Sequence, residues 1–140
     1  MTTDVVVGVD GSVNAVAALR WAAVYAKRTD SAVHVITTWE FPAIPDTSGM
    51  VTMPGQDFLI DGATAILDAA IDQARITDDV KLVREVVEGA AAHTLIERSA
   101  DAALLVVGRR GHSGIIGAFT GSVATSCANH ARVPVVIVPA

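Results

Sequence analysis

A short stretch near the carboxyl end of the chain contains five glycines, at Gly108, Gly111, Gly114, Gly117 and Gly121. The stretch follows an apolar run of strand length, residues 102–107, and leads into a predicted helix that begins at Ser122. Glycines in such a connection leave backbone N–H groups uncovered, and these groups together with a helix N-terminus can bind an anion. The stretch therefore predicts an anion-binding loop.

The spacing in this loop differs from two familiar phosphate-binding fingerprints. A Walker A loop requires a lysine before its Ser or Thr, whereas Ser122 directly follows Gly121, and a dinucleotide fingerprint belongs at the first strand-to-helix turn. The chain instead has Gly-x-x-Gly, nine further residues and Gly-Ser. Bare Cα atoms at Gly108 and Gly111 would let the backbone approach a ribose and phosphates. The alternative is a flexible connector, but the position at a strand-to-helix turn favours the binding loop.

The composition favours a single domain over residues 1–140, because 51% of the residues are hydrophobic and only 18% are charged. The net charge is −5 without a basic stripe, which argues against nucleic acid as a partner. Strand-like sequence begins at Val5 with no basic leader before it. The longest apolar runs fall short of the roughly 20 residues that span a bilayer. We therefore expect a soluble, cytoplasmic protein that binds neither nucleic acid nor membranes.

Strand-like and helix-like segments alternate along the chain. The pattern predicts strands over residues 4–10, 32–39, 81–87, 102–107 and 134–138, with helices over 12–28, 57–76, 90–100 and 122–131. Such alternation is typical of right-handed crossovers and predicts a doubly wound α/β fold with a parallel sheet. Ligands of these folds bind at the carboxyl ends of the strands, where the winding reverses. With the first strand central, Asp10 and Gly108 would meet at one site.

One loop is longer than most in a compact domain. Residues 42–55 are rich in proline and glycine, and loops of this length are often lids or partner surfaces. Its role stays open at the level of the sequence.

Three polar residues near the predicted site have structural alternatives. Asp10 could contact a ligand or form an Asx turn, and we favour the ligand role because Ser12 can supply the helix cap. His112 is interpreted as a solvated loop histidine rather than a catalytic one. Cys127 lies at helical spacing from Val123, which favours a small buried apolar residue over a nucleophile.

Segments throughout the chain resemble the universal stress protein family along its whole length. They are residues 5–12, 88–89, 104–111, 121–123 and 130–138. The Gly-x-x-Gly, nine residues, Gly-Ser signature is that of the nucleotide-binding branch of this family. The resemblance implies a five-stranded parallel sheet in the order 3-2-1-4-5 that binds ATP, with Mg²⁺ left open.

By position, the resemblance also implies a set of ligand contacts. The matching residues are Gly8, Asp10, Thr38, Gly108, Arg109, Gly111, His112, Gly121, Ser122 and Val123. Asp10 would meet the ribose and the adenine edge, with Gly8 in the same pocket and the backbone of Thr38 reading adenine. The loop glycines would contact ribose and phosphates, and the helix start would hold the phosphate chain. Arg109 and His112 lie inside the motif where the family varies, so no role is assigned to them.

We interpret the chain as an ATP-binding regulatory or stress-response module that retains its nucleotide. Fast phosphoryl transfer needs a metal cage, a positioned base and cationic stabilisation, and Asp10 is the one obvious carboxylate of the predicted site. The alternative is an adenylyl-transferring or slowly ATP-hydrolysing enzyme of related architecture. Such enzymes usually carry a Ser-Gly-Gly-x-Asp-Ser-like loop, which residues 8–12 resemble only faintly. A flavin-binding electron carrier is a third alternative.

The implied strand order places the apolar segment from Val135 to Val138 at the edge of the sheet. An uncharged, open edge of this kind tends to pair with another chain. The sequence therefore also predicts a homodimer formed through this strand, in agreement with the resemblance.

Overall fold

Helices and strands alternate through the protein as predicted. The computed structural model describes residues 3–42, 55–110 and 121–140. In chain order the elements are β1 (Val5–Gly8), α1 (Val13–Thr29), β2 (Val33–Trp39), α2 (Gln56–Ala74), β3 (Leu82–Glu88), α3 (Ala91–Arg98), β4 (Leu104–Gly108), α4 (Ser122–His130) and β5 (Val135–Val138). The predicted loop over residues 42–55 falls mostly outside the described residues.

All five strands pair in parallel and form one sheet in the order β3-β2-β1-β4-β5. The predicted fold class and strand order are therefore confirmed. The winding reverses between β1 and β4, since the chain builds outward from β1 towards β3 and then returns to add β4 and β5 on the other side. This reversal is where a doubly wound sheet leaves a crevice between its helices.

The central strands are apolar on both faces because helices cover both sides of the sheet. Val5 and Val7 of β1 pack into the core under α1 and α2, whereas Val6 packs into the core under α3 and α4. Small side chains dominate these helices, and the buried positions of α1 include Ala15, Ala18 and the alanines further along it. Alanine permits close approach of helix to sheet, which explains how a chain with 4% aromatic residues fills its core.

Cys127 of α4 lies in the second of these cores and is fully buried. Burial raises the pKa of its thiol to about 11, because the thiolate would lose its hydration. The side chain therefore packs as a small apolar group, as its spacing predicts.

Among residues 3–42, 55–110 and 121–140, no helix is both long and apolar enough to cross a bilayer.

Candidate functional site

A cavity of about 330 Å³ opens at the carboxyl ends of β1 and β4, where the winding of the sheet reverses. The strand ends and the loop after β1 form its floor, and helices α1, α2, α3 and α4 each contribute to its walls. The lining residues that the structure describes are Gly8, Val9, Asp10, Ser12, Ala15, Ile36, Thr37, Thr38, Ile66, Ala91, Leu95, Val107, Gly108, Arg110, Gly121, Ser122, Val123 and Ala124. The two loops that the sequence singles out therefore meet at one place.

Most of the predicted site residues lie in this lining. The cavity brings together Gly8, Asp10, Thr38, Gly108, Gly121, Ser122 and Val123. Gly111 and His112 lie outside the described residues, as do Gly114 and Gly117.

Arg109 lies beside the cavity rather than in its lining. Its backbone N–H donates to the Val138 carbonyl at 2.9 Å, and its carbonyl accepts from the Gly121 N–H at 2.6 Å. Arg109 thus ties the end of β4 both to β5 and to the start of α4. The neighbouring Arg110 lines the cavity instead, and it is the cation among the lining residues that the structure describes.

Asp10 forms the Asx turn and also lines the cavity, so the two interpretations of this residue are compatible. Its Oδ1 accepts from the backbone N–H of Ser12 at 3.0 Å and from the Ser12 hydroxyl at 2.6 Å. The Ser12 Oγ in turn accepts from the Ala15 N–H at 3.1 Å and caps α1. This chain of hydrogen bonds fixes the carboxylate at the mouth of the cavity.

Two of the predicted site glycines lie where helices pack closely on strand ends, and at Gly108 the neighbouring atoms include backbone atoms. A Cβ added to Gly8 would lie 2.5 Å from the Leu95 side chain of α3. A Cβ added to Gly108 would lie 2.8 Å from the backbone carbon of Asn14 in α1. The missing side chains therefore let α1 and α3 approach the ends of β4 and β1, and this close approach shapes the cavity.

Helix α4 begins at the cavity, and its N-cap residue, Gly121, has no side chain that could accept a hydrogen bond from the first turn. The N–H groups at the start of such a helix have no intrahelical acceptor and carry the positive end of the helix dipole. Ser122 and Val123, the first two helical residues, both line the cavity. This wall is therefore suited to an anion.

The rest of the cavity is largely apolar. Ile36 and Val107 come from strand ends, Leu95 from α3 and Ile66 from α2. The sequence analysis did not select these residues, because apolar side chains at strand ends and in helices carry no chemical signal of a site. Ile66 does carry a weak signal, since it lies off the buried stripe of α2 at Ala63, Leu67 and Ala70.

The fold and the cavity define a class of protein, the doubly wound α/β proteins that have a ligand-sized cleft at the switch point of the sheet. The family model for the universal stress protein family matches residues 1–139. The chain therefore belongs to the universal stress protein family.

Individual relatives agree with this assignment. The chain is 35% identical to universal stress protein Rv2623 of Mycobacterium tuberculosis over 96% of its own length and 46% of the relative's. It thus spans about half the length of the curated relatives it matches. Among solved structures, a universal stress protein in complex with cAMP is 27% identical, with a TM-score of 0.73 over 98% of this chain and 97% of that one. The protein UspA of Lactobacillus plantarum superposes with a TM-score of 0.75 at 23% identity, covering 98% and 97% of the two chains, and shows the fold.

Proposed function

We propose that this chain is a regulatory module that binds an adenine nucleotide, with ATP as the expected ligand, in the cavity between β1 and β4. The observation that carries the proposal is the uncapped start of α4, which lines a cavity with otherwise mostly apolar walls. A nucleotide has the matching character, because its phosphates are anionic and its base is planar and largely apolar. The related structure in complex with cAMP supports the same ligand class.

In this proposal the ligand lies across the carboxyl ends of the strands. Its phosphates accept hydrogen bonds from the amides of residues 122–123, and Arg110 adds a positive charge beside them. The carboxylate of Asp10 is aimed by Ser12 and is suited to accept a hydrogen bond from a ribose hydroxyl or a base N–H. The backbone of Thr38 lies at the end of β2, where it can contact the base. The predicted contacts at Gly111 and His112 remain part of the proposal.

We propose further that the nucleotide is retained rather than turned over. Asp10 is the one carboxylate among the described lining residues, and its Oδ1 already accepts two hydrogen bonds. Phosphoryl transfer needs a metal held by several oxygen ligands and a positioned base. A bound ATP, with or without Mg²⁺, would then signal through the conformation of the protein.

The partner proposed for this module is a second copy of the chain. Strand β5 lies at the edge of the sheet, and all four of its residues are apolar and only partly buried. Leu105 of β4 and Arg109, the residue after β4, donate to the carbonyls of Pro134 and Val138. The alternate backbone groups, those of Val135 and Ile137, therefore face away from β4. These outward groups can pair with another strand.

A proline at position 135 tests the homodimer. Val135→Pro removes an outward N–H and leaves the hydrogen bonds to β4 in place. Light scattering at tens of micromolar should give twice the chain mass of 14.5 kDa for the wild type and the single mass for the variant. A wild type of monomer mass would contradict this part of the proposal.

A glutamate at position 121 tests the nucleotide site. In Gly121→Glu the carboxylate can occupy the anion position at the first amides of α4, where it should support the helix while repelling phosphates. We expect ATP affinity to fall at least about 100-fold, in line with several kcal/mol of unscreened like-charge contact. Calorimetry with ATP, together with chromatography of the supernatant from heated, freshly purified protein, gives the readout.

The matched control is Val24→Glu. Val24 is 55% exposed on α1 and is not among the described residues that line the cavity, so this variant adds the same charge away from the site. It should bind ATP like the wild type. Equal ATP affinity in the Gly121→Glu and Val24→Glu proteins would refute the assigned phosphate position, and steady release of pyrophosphate or phosphate would favour the enzymatic alternative.

A further inference from the structure

The side chain of Ile66 is a partly exposed apolar group at the wall of the cavity. It is 37% exposed, although the neighbouring buried residues of α2, Ala63 and Leu67, are at most 4% exposed. It is also the contribution of α2 to the cavity lining, as far as the structure describes that lining. An exposed apolar side chain at the wall of a ligand cleft gains contacts only when a ligand covers it.

Ile66 lies against the loop that carries Asp10. A Cβ added to Gly11 would be 3.8 Å from the Ile66 Cγ2. Gly11 has a φ of +88°, a conformation that glycine adopts without strain, so the loop stays free of a side chain there. The carboxylate of Asp10 and the apolar surface of Ile66 are thereby brought to the same side of the cavity.

This side is opposite to the proposed phosphate position. Helix α2 packs against β2 and β3 on one face of the sheet, whereas α4 packs against β4 and β5 on the other face. The α2 and α4 walls therefore lie on opposite sides of β1 and on opposite faces of the sheet. A ligand that places an anion at α4 therefore extends its other end towards Ile66.

We propose that Ile66 selects the base of the bound nucleotide by covering one face of a purine ring. This inference rests on the proposed nucleotide site and adds the residue that discriminates among nucleotides. The apolar faces of a purine match a branched aliphatic wall, and the larger ring of a purine covers more of it than a pyrimidine does. In this arrangement Asp10 and the backbone of Thr38 recognise the polar edge of the ring.

The test compares AMP with CMP, because the two share ribose and phosphate and differ in the base. Calorimetry on the wild type should show tighter binding of AMP. Ile66→Ala should weaken AMP about 10-fold, the effect of removing a few apolar groups from a pocket, and should weaken CMP by less than about three-fold. Ile66→Leu keeps the apolar volume and should retain the preference for AMP.

The control is Val24→Ala, which shortens a β-branched residue that is 55% exposed on α1 and lies outside the described cavity lining. It should bind both nucleotides like the wild type. Equal weakening of AMP and CMP in Ile66→Ala would mean a general distortion and would overturn the assignment, as would an unchanged affinity for AMP. A wild type that binds neither of these nucleotides nor ATP would overturn the proposed function as well, so the two failures are distinguishable.

Discussion

Towards the amino end of the sheet titratable side chains pair with one another, whereas at the carboxyl end the N-cap residues of two helices, Ala90 and Gly121, supply no side-chain cap. The His34 Nε2 lies 2.8 Å from the Asp4 Oδ2, and Arg98 donates to the Glu85 Oε2 at 3.1 Å. The His34 Nδ1 also lies 4.0 Å from Glu85, which joins the two pairs across β2 and β3. At the other end, α3 and α4 both begin without a side-chain cap and both line the cavity.

The two ends differ in how their polar groups are used. At the amino end, hydrogen bonds and ion pairs between side chains satisfy the polar groups. These pairs also connect β2, β3, α3 and the residue before β1. Each helix start without a side-chain cap lacks roughly 1 kcal/mol of stabilisation that a cap would provide, but its backbone N–H groups remain available to a ligand. Substitutions at the two ends should therefore have different consequences.

The largest effect on stability is expected at Gly108, at the carboxyl end. Gly108→Ala should lower the free energy of unfolding by about 2 kcal/mol, because the added Cβ meets the backbone of α1 at Asn14 and cannot be relieved by a side-chain rotation. Urea denaturation measures the change.

Gly62→Ala is the matched control, because a Cβ added at this position of α2 has no atom within 4 Å. It should raise the free energy of unfolding by roughly 0.5–1 kcal/mol, the helix-propensity difference. If both variants were equally stable, Gly108 would not be explained by the packing of α1.

A smaller effect is expected from Asp4→Asn at the amino end. The hydrogen bond with His34 holds the pKa of the Asp4 carboxyl below its ordinary value, with a smaller contribution from the Ala32 N–H, and partial burial opposes both. Asparagine loses the charge in this interaction, so the free energy of unfolding at pH 7 should fall by about 1 kcal/mol. Affinity for AMP should stay within about two-fold, because Asp4 is not among the described residues that line the cavity.

The direction of the Asp4 pKa shift determines how the cost of Asp4→Asn depends on pH. A carboxyl whose pKa is depressed in the folded state stabilises the protein above its unfolded pKa of about 3.9, and the stabilisation is lost as the pH falls through the folded value. The cost of Asp4→Asn should therefore shrink below about pH 4. A cost that is the same at pH 7 and pH 3 would show that the charge of Asp4 has no part in it.

Much of the fold could be predicted from the sequence because its signals are local. Runs of β-branched residues such as residues 5–7 are typical of central parallel strands, and Ser12 marks the start of α1 through its capping hydroxyl. The meeting of Asp10 with Gly108 followed from one topological rule, the reversal of winding beside the first strand.

The remainder depends on contacts between distant parts of the chain. The clash that requires a glycine at position 108 involves Asn14, almost a hundred residues away, so the sequence offered only a ligand explanation for it. Arg109 and Arg110 both follow the last residue of β4, Gly108, so which of them lines the cavity depends on the path of the backbone after the strand, for which the sequence gives no signal. Ile66 was missed because single exposed apolar residues are common on helix surfaces, and only its contact with the loop at Gly11 shows that it borders the cavity.

The most direct test of the central claim is a crystal structure of the protein soaked in excess ATP. The account predicts electron density for phosphate groups within hydrogen-bonding distance of the amides of Ser122 and Val123, with the adenine beside Ile66. Solvent alone at the start of α4, in crystals whose loops are intact, would contradict it.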